Sequence, residues 1–401
     1  MTASRSWARR GRALAPLLVV LLASLLVLFE REWRHGEVFS PADLLFEFYP
    51  WSHDRPLTRG ANPSRSDEAF YHQPLMTTHF ARLRQGELPE FDESRLAGVP
   101  AFFQSLDVAR AFSPMSLPYY LLPAEDAVSW YGPLRLVVAA LAMWLFLRDL
   151  GVGAVAAAAA GIAFALNGHF LTWLSAPMPT VAAWLPLVLR QIRRAVHRTR
   201  WQDTAGLALA LGALFAGGYL ATALVCLAGA AGYAICELWQ TRRWRALGPL
   251  LLGGVLGLLV GAIALGPMLD ALRTSPAGTR VVSADGAPWP NLATLAMPHF
   301  WGTPLHGTWW HPDPTATYPE HVAYFGITVL MLAALGLATR LTPALGAVRW
   351  CFAGLTVLAL TRAYGAVPGR WLLWLPGQAQ TNPFRWYALA ACGLAVLAGL
   401  G

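Results

Sequence analysis

The chain has no lysine: all 30 of its basic residues are arginine, in a sequence of 401. Together with long Ala, Gly and Leu runs, this reads as the composition of a GC-rich genome rather than a functional demand. Charge of either sign is scarce, at 13% of residues against 56% hydrophobic. A soluble domain of this length needs more charge to cover its surface, so that class is excluded. Alternating apolar and polar ten-residue stretches are missing, which excludes a membrane β-barrel. Cysteine is sparse too. Cys226, Cys236, Cys351 and Cys392 all fall inside apolar stretches, at spacings that fit neither a zinc cluster nor a disulfide framework; they read as small packing residues. The formal charge of +8 invites a nucleic-acid reading. The arginines instead flank apolar segments, where they act as topology signals, and no nucleic acid is expected.

What the sequence does contain is apolar blocks near the ~20 residues that cross a bilayer as a helix. Every backbone amide in lipid must be paired within its own segment, so these blocks read as helices. A basic N-terminus (Arg5, Arg9, Arg10, Arg12) precedes the run Ala13 to Phe29, taken as an uncleaved first helix because Glu30-Arg31-Glu32 follows with no signal-peptidase pattern. Further spans are expected at about 128–147, 152–170, 178–192, 204–220, 222–238, 246–268, 322–339, 347–362 and 384–401. The expected fold is thus an all-α polytopic membrane protein of about ten transmembrane helices with a large extracytoplasmic first loop.

An inside N-terminus puts Arg148, Arg190, Arg193, Arg194, Arg198, Arg200, Arg242, Arg243, Arg245, Arg340 and Arg349 on the cytoplasmic side. The parts follow: a tail and first helix at 1–29, an outer loop at 30–127, a bundle at 128–268, a second outer loop at 269–321, and further helices at 322–401. The last apolar run ends at Gly401 without a polar flank, which reads as the N-terminal part of a longer protein or as a helix ending flush with the membrane. The first outer loop holds too many aromatic residues for a solvated coil, so short amphipathic helices at the membrane surface are expected there.

That loop carries the chemistry-bearing residues. Asp43 precedes Phe48-Tyr49-Pro50-Trp51; Arg65-Ser66-Asp67-Glu68 precedes Tyr71-His72-Gln73-Pro74; then come Gly86-Glu87-Leu88-Pro89 and Gly98-Val99-Pro100. Later segments contain Pro298-His299-Phe300-Trp301-Gly302, Glu320-His321-Val322-Ala323-Tyr324-Phe325-Gly326 and Pro383-Phe384-Arg385. These strings, spread over nearly the whole chain, resemble the bacterial YfhO-like membrane proteins. The sequence departs from that pattern at His72-Gln73-Pro74, where an aromatic more often precedes the proline, and at Glu90-Phe91-Asp92, which stands in place of a Trp-Asn-Pro string.

The resemblance implies a GT-C type glycosyltransferase in the bacterial cytoplasmic membrane. Such an enzyme moves a sugar from a polyprenyl-phosphate donor to an extracytoplasmic envelope acceptor (glycopolymer, lipid or protein), with an acidic residue of the first outer loop as the base. A carboxylate can deprotonate the acceptor hydroxyl while the anomeric carbon loses lipid phosphate on its opposite face. Asp67 is the first candidate base and Asp43 the second; the alternative is that Asp67 caps a short helix beginning at Glu68, or that these acids lie on a solvated face. Glu68, Tyr71, His72, Gln73, Gln104, Asp107, Trp309 and Glu320 are candidate substrate contacts, with Trp310 a further stacking surface. Arg385, at the outer start of the last span, suits a lipid phosphate. The histidines of the second loop match no zinc spacing; a divalent metal is possible and none is assigned. Asn167-Gly168-His169 is polar within an apolar span and reads as a helix–helix contact or a cavity border. A lipid or small-molecule transporter and a non-catalytic assembly protein are the alternative functions.

Overall fold

The computed structural model describes residues 2–54, 62–89, 91–93, 98, 108–274 and 286–401. Among these no strand forms; the regular elements are helices. The principal ones are α1 (Thr2–Leu28), α2 (Gln73–Arg84), α3 (Ala124–Leu150), α4 (Ala154–Ala165), α5 (Gly168–Thr172), α6 (Met178–Ala182), α7 (Leu185–Arg198), α8 (Trp201–Phe215), α9 (Leu220–Thr241), α10 (Leu247–Thr274), α11 (Tyr318–His321), α12 (Ile327–Ala338), α13 (Pro343–Ala363) and α14 (Tyr387–Leu400).

Among the described residues six helical segments are long and apolar enough to cross a membrane: Ala124–Leu150, Ala154–Thr172, Leu220–Thr241, Trp244–Asp270, Pro343–Ala363 and Pro383–Leu400. The chain is a multi-pass membrane protein. Two shorter apolar helices, Ala13–Leu28 and Ile327–Ala338, fall below that length. The expected run at about 178–192 is divided between α6 and α7, and α7 continues to Arg198. Where described, the 30–127 stretch includes short helical pieces at Ala42–Glu47, Trp51–Asp54, Pro63–Arg65, Glu68–His72, α2, Val108–Phe112, Pro114–Ser116 and Leu117–Leu121.

Two helices show how the bundle meets its solvent. All residues of α14 from Tyr387 to Leu400 are buried, so it is the central helix. By contrast α10 turns Leu251, Leu252, Val255, Leu258, Leu259 and Ile263 outward, the all-round apolar surface of a lipid-facing helix. Its inner edge is glycine. A Cβ on Gly253, Gly257 or Gly261 would come within 2.9, 2.7 and 2.8 Å of Leu207, Leu211 and Phe215 of α8. Glycines at every fourth position let two helix backbones approach closely, which substitutes for the hydrophobic force that lipid cannot supply.

The short connectors between helices gather into two groups. One comprises 151–153, 199–200 and 242–243, and ion pairs tie together the helices they follow: Asp149 holds Arg190 at 2.8 Å and Arg194 at 3.4 Å, and Glu237 holds Arg193 at 2.7 Å and His197 at 2.9 Å. The other group is the turn at 173–177, the 216–219 connector, the short helices before α3 and the segments around α11 and α14.

Candidate functional site

The second group is built on a helix break. Asn167 ends α4 and starts α5: its Oδ1 accepts from the Phe170 amide at 3.2 Å while its Nδ2 donates to the Phe164 carbonyl. The polar Asn-Gly-His string therefore closes its own backbone at the break, in the way an N-cap satisfies orphan amides. Gly168 then meets a distant segment. Its N–H donates to the Tyr324 carbonyl at 2.6 Å, and a Cβ there would lie 2.7 Å from the Tyr324 nitrogen. Only glycine permits that approach, and it fixes the 320–326 segment against the α5 end.

Three arginines converge on the turn that follows. Arg65 donates to the Leu171 carbonyl (3.3 Å), Arg110 to the Ser175 carbonyl (3.3 Å), and Arg135 to the Ala176 carbonyl (2.7 Å) and Thr180 Oγ1 (3.3 Å). Arg135 also lies 3.9 Å over the ring of Tyr131, whose hydroxyl pairs with Thr180 at 2.9 Å. Arg110 and Arg135 are each 1% exposed.

The carboxyl these cations influence is Glu68. It is buried on a single π-helical turn, Glu68–His72, that runs directly into α2. Burial pushes its carboxyl above the ordinary range, against the lowering influence of His72, Arg110, Arg135 and Arg65. Burial likewise holds the Arg65 guanidinium below its usual value, opposed by Glu68 and Tyr318. A buried acid under several cations is a common signature of a tuned functional group.

Across the same turn stands Arg385. Its guanidinium lies 4.6 Å over the Trp173 ring and 5.4 Å from that of Tyr219. Nη2 reaches Glu320 at 3.4 Å, and Asn382 Nδ2 donates to the same carboxylate at 2.8 Å. Nε and Nη1 of Arg385 are buried without a partner. A cation held by an aromatic clamp, one carboxylate and two unused donors is equipped to receive an anion.

The other sequence candidates fall as follows. Asp67 and Asp43 are both exposed, and the Asp67 side chain caps nothing. Tyr71 and His72 are half-buried and stack edge to face at 5.1 Å. Gln73 Oε1 accepts from Ser40 Oγ at 2.5 Å, tying the 40–47 segment to α2. Trp309 has one face covered by His311, stacked at 5.5 Å and 11°, and its edge against Tyr318; Trp310 is the more open ring, at 60% exposed. Gln104 and Asp107 lie outside the described residues. Among the described residues no group of three or more His, Cys, Asp or Glu side chains assembles to hold a metal ion.

Sequence reading passed over Arg110 and Arg135. For Arg135 a signal existed: an arginine inside an apolar span is costly and marks a cavity or a partner. No protein-family model, curated protein or solved structure matches the chain.

Proposed function

We propose that the chain is a GT-C type membrane glycosyltransferase that crosses a bacterial cytoplasmic membrane ten times with its N-terminus inside. It transfers a sugar from a polyprenyl-phosphate donor to an envelope acceptor on the outer face. Ten crossings follow if α1, the pairs α4–α5 and α6–α7, α8 and α12 each span alongside the remaining long helices. The ion-paired, arginine-rich connectors then lie inside, in accord with the positive-inside rule.

The observation that carries this reading is the pairing of a buried acid with a clamped, incompletely satisfied arginine on two sides of one turn. Glu68 is buried within electrostatic reach of Arg65, Arg110 and Arg135, and Arg385 stands over Trp173. In the proposed reaction Glu68 takes the proton of the acceptor hydroxyl. The acceptor oxygen bonds the anomeric carbon as the bond from that carbon to the phosphate oxygen breaks. The electron pair leaves with the lipid phosphate, which Arg385 neutralises while Glu320 and Asn382 hold its guanidinium in place. The configuration at carbon inverts. No step in this scheme requires a metal, and it assigns the base to Glu68 in preference to the exposed Asp67 and Asp43.

The test is transfer by the reconstituted chain from a labelled polyprenyl-phosphate sugar to an envelope extract. Glu68→Gln and Arg385→Ala are expected to remove transfer. Loss with Asp67→Asn or Asp43→Asn and not with Glu68→Gln moves the base to that aspartate. Retention in all four variants rejects the enzyme. One observation favours a lipid-phosphate transporter as the second reading: Arg362, in the last turn of a membrane-length helix, is fully buried with all three guanidinium nitrogens unpartnered. Movement of lipid phosphate across the membrane by the reconstituted chain, with no sugar transfer, would replace the first reading by the second.

A further inference from the structure

The arginine-rich end carries a site of its own. Thr199, ending α7, and Arg242, ending α9, have φ of 51° and 55°; among the described residues they are the two non-glycine positions with positive φ. Both are left-handed C-caps, a common way for a helix to end, and they set the course of the two connectors. Both residues line one cavity of about 420 Å³, together with Arg243, Trp244, Arg245 and Ala246. The cavity sits at the N-terminal end of the 28-residue helix α10, where the helix field favours an anion.

The roles of the charged groups around it differ sharply. The acids at this end are already engaged: Asp149 with Arg190 and Arg194, Asp203 with Arg194 at 3.7 Å, and Glu237 with Arg193, His197 and the Tyr233 hydroxyl at 2.5 Å. Arg243 is engaged as well, donating to the His197 carbonyl at 2.5 Å and capping the end of α7. Arg198, Arg200, Arg242 and Arg245 are exposed and form no ion pair among the described residues. The cavity wall therefore presents three arginines and no carboxylate. Trp201, Trp239 and Trp244 are exposed around it, with Arg242 lying 5.4 Å over Trp239. Exposed tryptophans at helix ends mark the headgroup level of a bilayer.

We propose that this cavity binds the phosphate of an anionic lipid headgroup, with Arg242 and Arg245 as the principal donors and Arg243 setting the spacing of the two connectors. Basic pockets between membrane helices recognise phosphate headgroups by charge-assisted hydrogen bonds. The proposal does not rest on sugar transfer, since it uses none of the residues of the opposite end.

The experiment takes the full chain in nanodiscs of phosphatidylcholine and titrates phosphatidylglycerol while following the melting temperature. The wild type is expected to gain a saturable rise. Arg242→Gln/Arg245→Gln is expected to need at least tenfold more phosphatidylglycerol for the same rise. Arg31→Gln/Arg34→Gln removes the same charge beside α1 and is expected to behave as wild type. Melting in pure phosphatidylcholine reports whether each variant folds, and Arg245→Gln alone replaces the double variant if that fails. Equal titrations for wild type and the Arg242/Arg245 variants overturn the proposal, as does equal weakening in the Arg31/Arg34 control. Inorganic phosphate is titrated in parallel. A rise from phosphate alone assigns the cavity to a soluble phosphate compound and overturns the lipid assignment.

Discussion

The two ends of this bundle use arginine in opposite ways. At the arginine-rich end the enclosed guanidiniums meet carboxylates: Arg190 and Arg194 share Asp149, and Arg193 shares Glu237 with His197. At the other end Arg65, Arg110 and Arg135 are anchored on main-chain carbonyls of Leu171, Ser175 and Ala176. A carbonyl positions a guanidinium without cancelling its charge, whereas a carboxylate does both. The enclosed arginines of the first end are therefore clasps that tie helices together, whereas those of the second lie within electrostatic reach of one buried acid, Glu68. Clasps serve stability. The carbonyl-anchored arginines around one acid are the group proposed to serve binding and chemistry.

If that distinction is right, removing an acid has opposite consequences at the two ends. Glu68→Gln is expected to lower sugar transfer by about 100-fold to 10,000-fold, the usual range for a lost general base, while leaving the melting temperature within a few degrees. The pH dependence supplies the sign. Burial raises the Glu68 carboxyl, so the wild type binds its proton more tightly folded than unfolded. That contribution to stability is complete below the ordinary carboxylate value and is lost as pH rises through the raised one. Activity should climb over the same window as the base is freed. In Glu68→Gln the stability slope over that window should vanish. A Glu68→Gln protein that melts far below wild type would instead make Glu68 a clasp.

Glu237→Ala tests the opposite end. It strands Arg193, His197 and the Tyr233 hydroxyl around a position only 1% exposed. Loss of one partner from a buried ionic cluster costs about 3–5 kcal/mol, readable as a lower melting temperature in detergent. Specific activity per folded molecule should stay unchanged. A fall in activity with no change in melting would dissolve the contrast between the ends.

Gly168→Ala probes how the end that holds Glu68 and Arg385 is assembled, with a smaller effect. The added methyl meets the Tyr324 backbone at under 3 Å on both nitrogen and oxygen, and forcing atoms into a packed contact costs about 1–3 kcal/mol. The 320–326 segment carries Glu320, so its displacement should loosen Arg385 as well. The expected readout is weaker donor binding, seen as a raised KM, alongside the lower melting temperature. An unchanged KM would uncouple Glu320 from the α5 turn.

How far the sequence foretold this arrangement depends on range. Apolar run length found the six membrane-length helices, because a backbone in lipid has no alternative to pairing within its own segment. It did not foresee the division of 178–192 into α6 and α7, or the break at Asn167, since both depend on contacts with distant segments. The site was legible in parts. Glu68, His72, Glu320 and Arg385 could be named from local strings, and the structure brings Glu320 to Arg385 across 65 positions. The leading acid, Asp67, and its neighbour Glu68 were separable only by burial, because adjacent positions on a helical turn point in different directions. Arg110 and Arg135 gain their meaning from the carbonyls of a turn 40 or more residues away, which no local pattern encodes.

The smallest effect expected concerns His321, which borders the Arg385 clamp from the far side. Its ring sits 4.8 Å from His311 and 4.6 Å from Phe384, and its Nδ1 lies 3.1 Å from the Thr317 carbonyl. Burial, and then the neighbouring His311, hold its pKa below the usual histidine value, although the Thr317 carbonyl and Asp313 pull the other way. The folded protein thus favours the neutral ring. Stability from this residue is present above pH 6.5 and is lost as pH falls through the lowered value, because the unfolded chain takes up the proton first. Melting should drop on the order of one to a few degrees on acidification through that window. Trp309, stacked on His311, offers a fluorescence reporter of the same step. His321→Gln should remove the acid-side slope while leaving the Glu68-dependent slope intact. If both slopes disappeared together, the Glu68 and Arg385 sides of this end would have to titrate as one unit, and the turn at 173–177 would be the coupling between them.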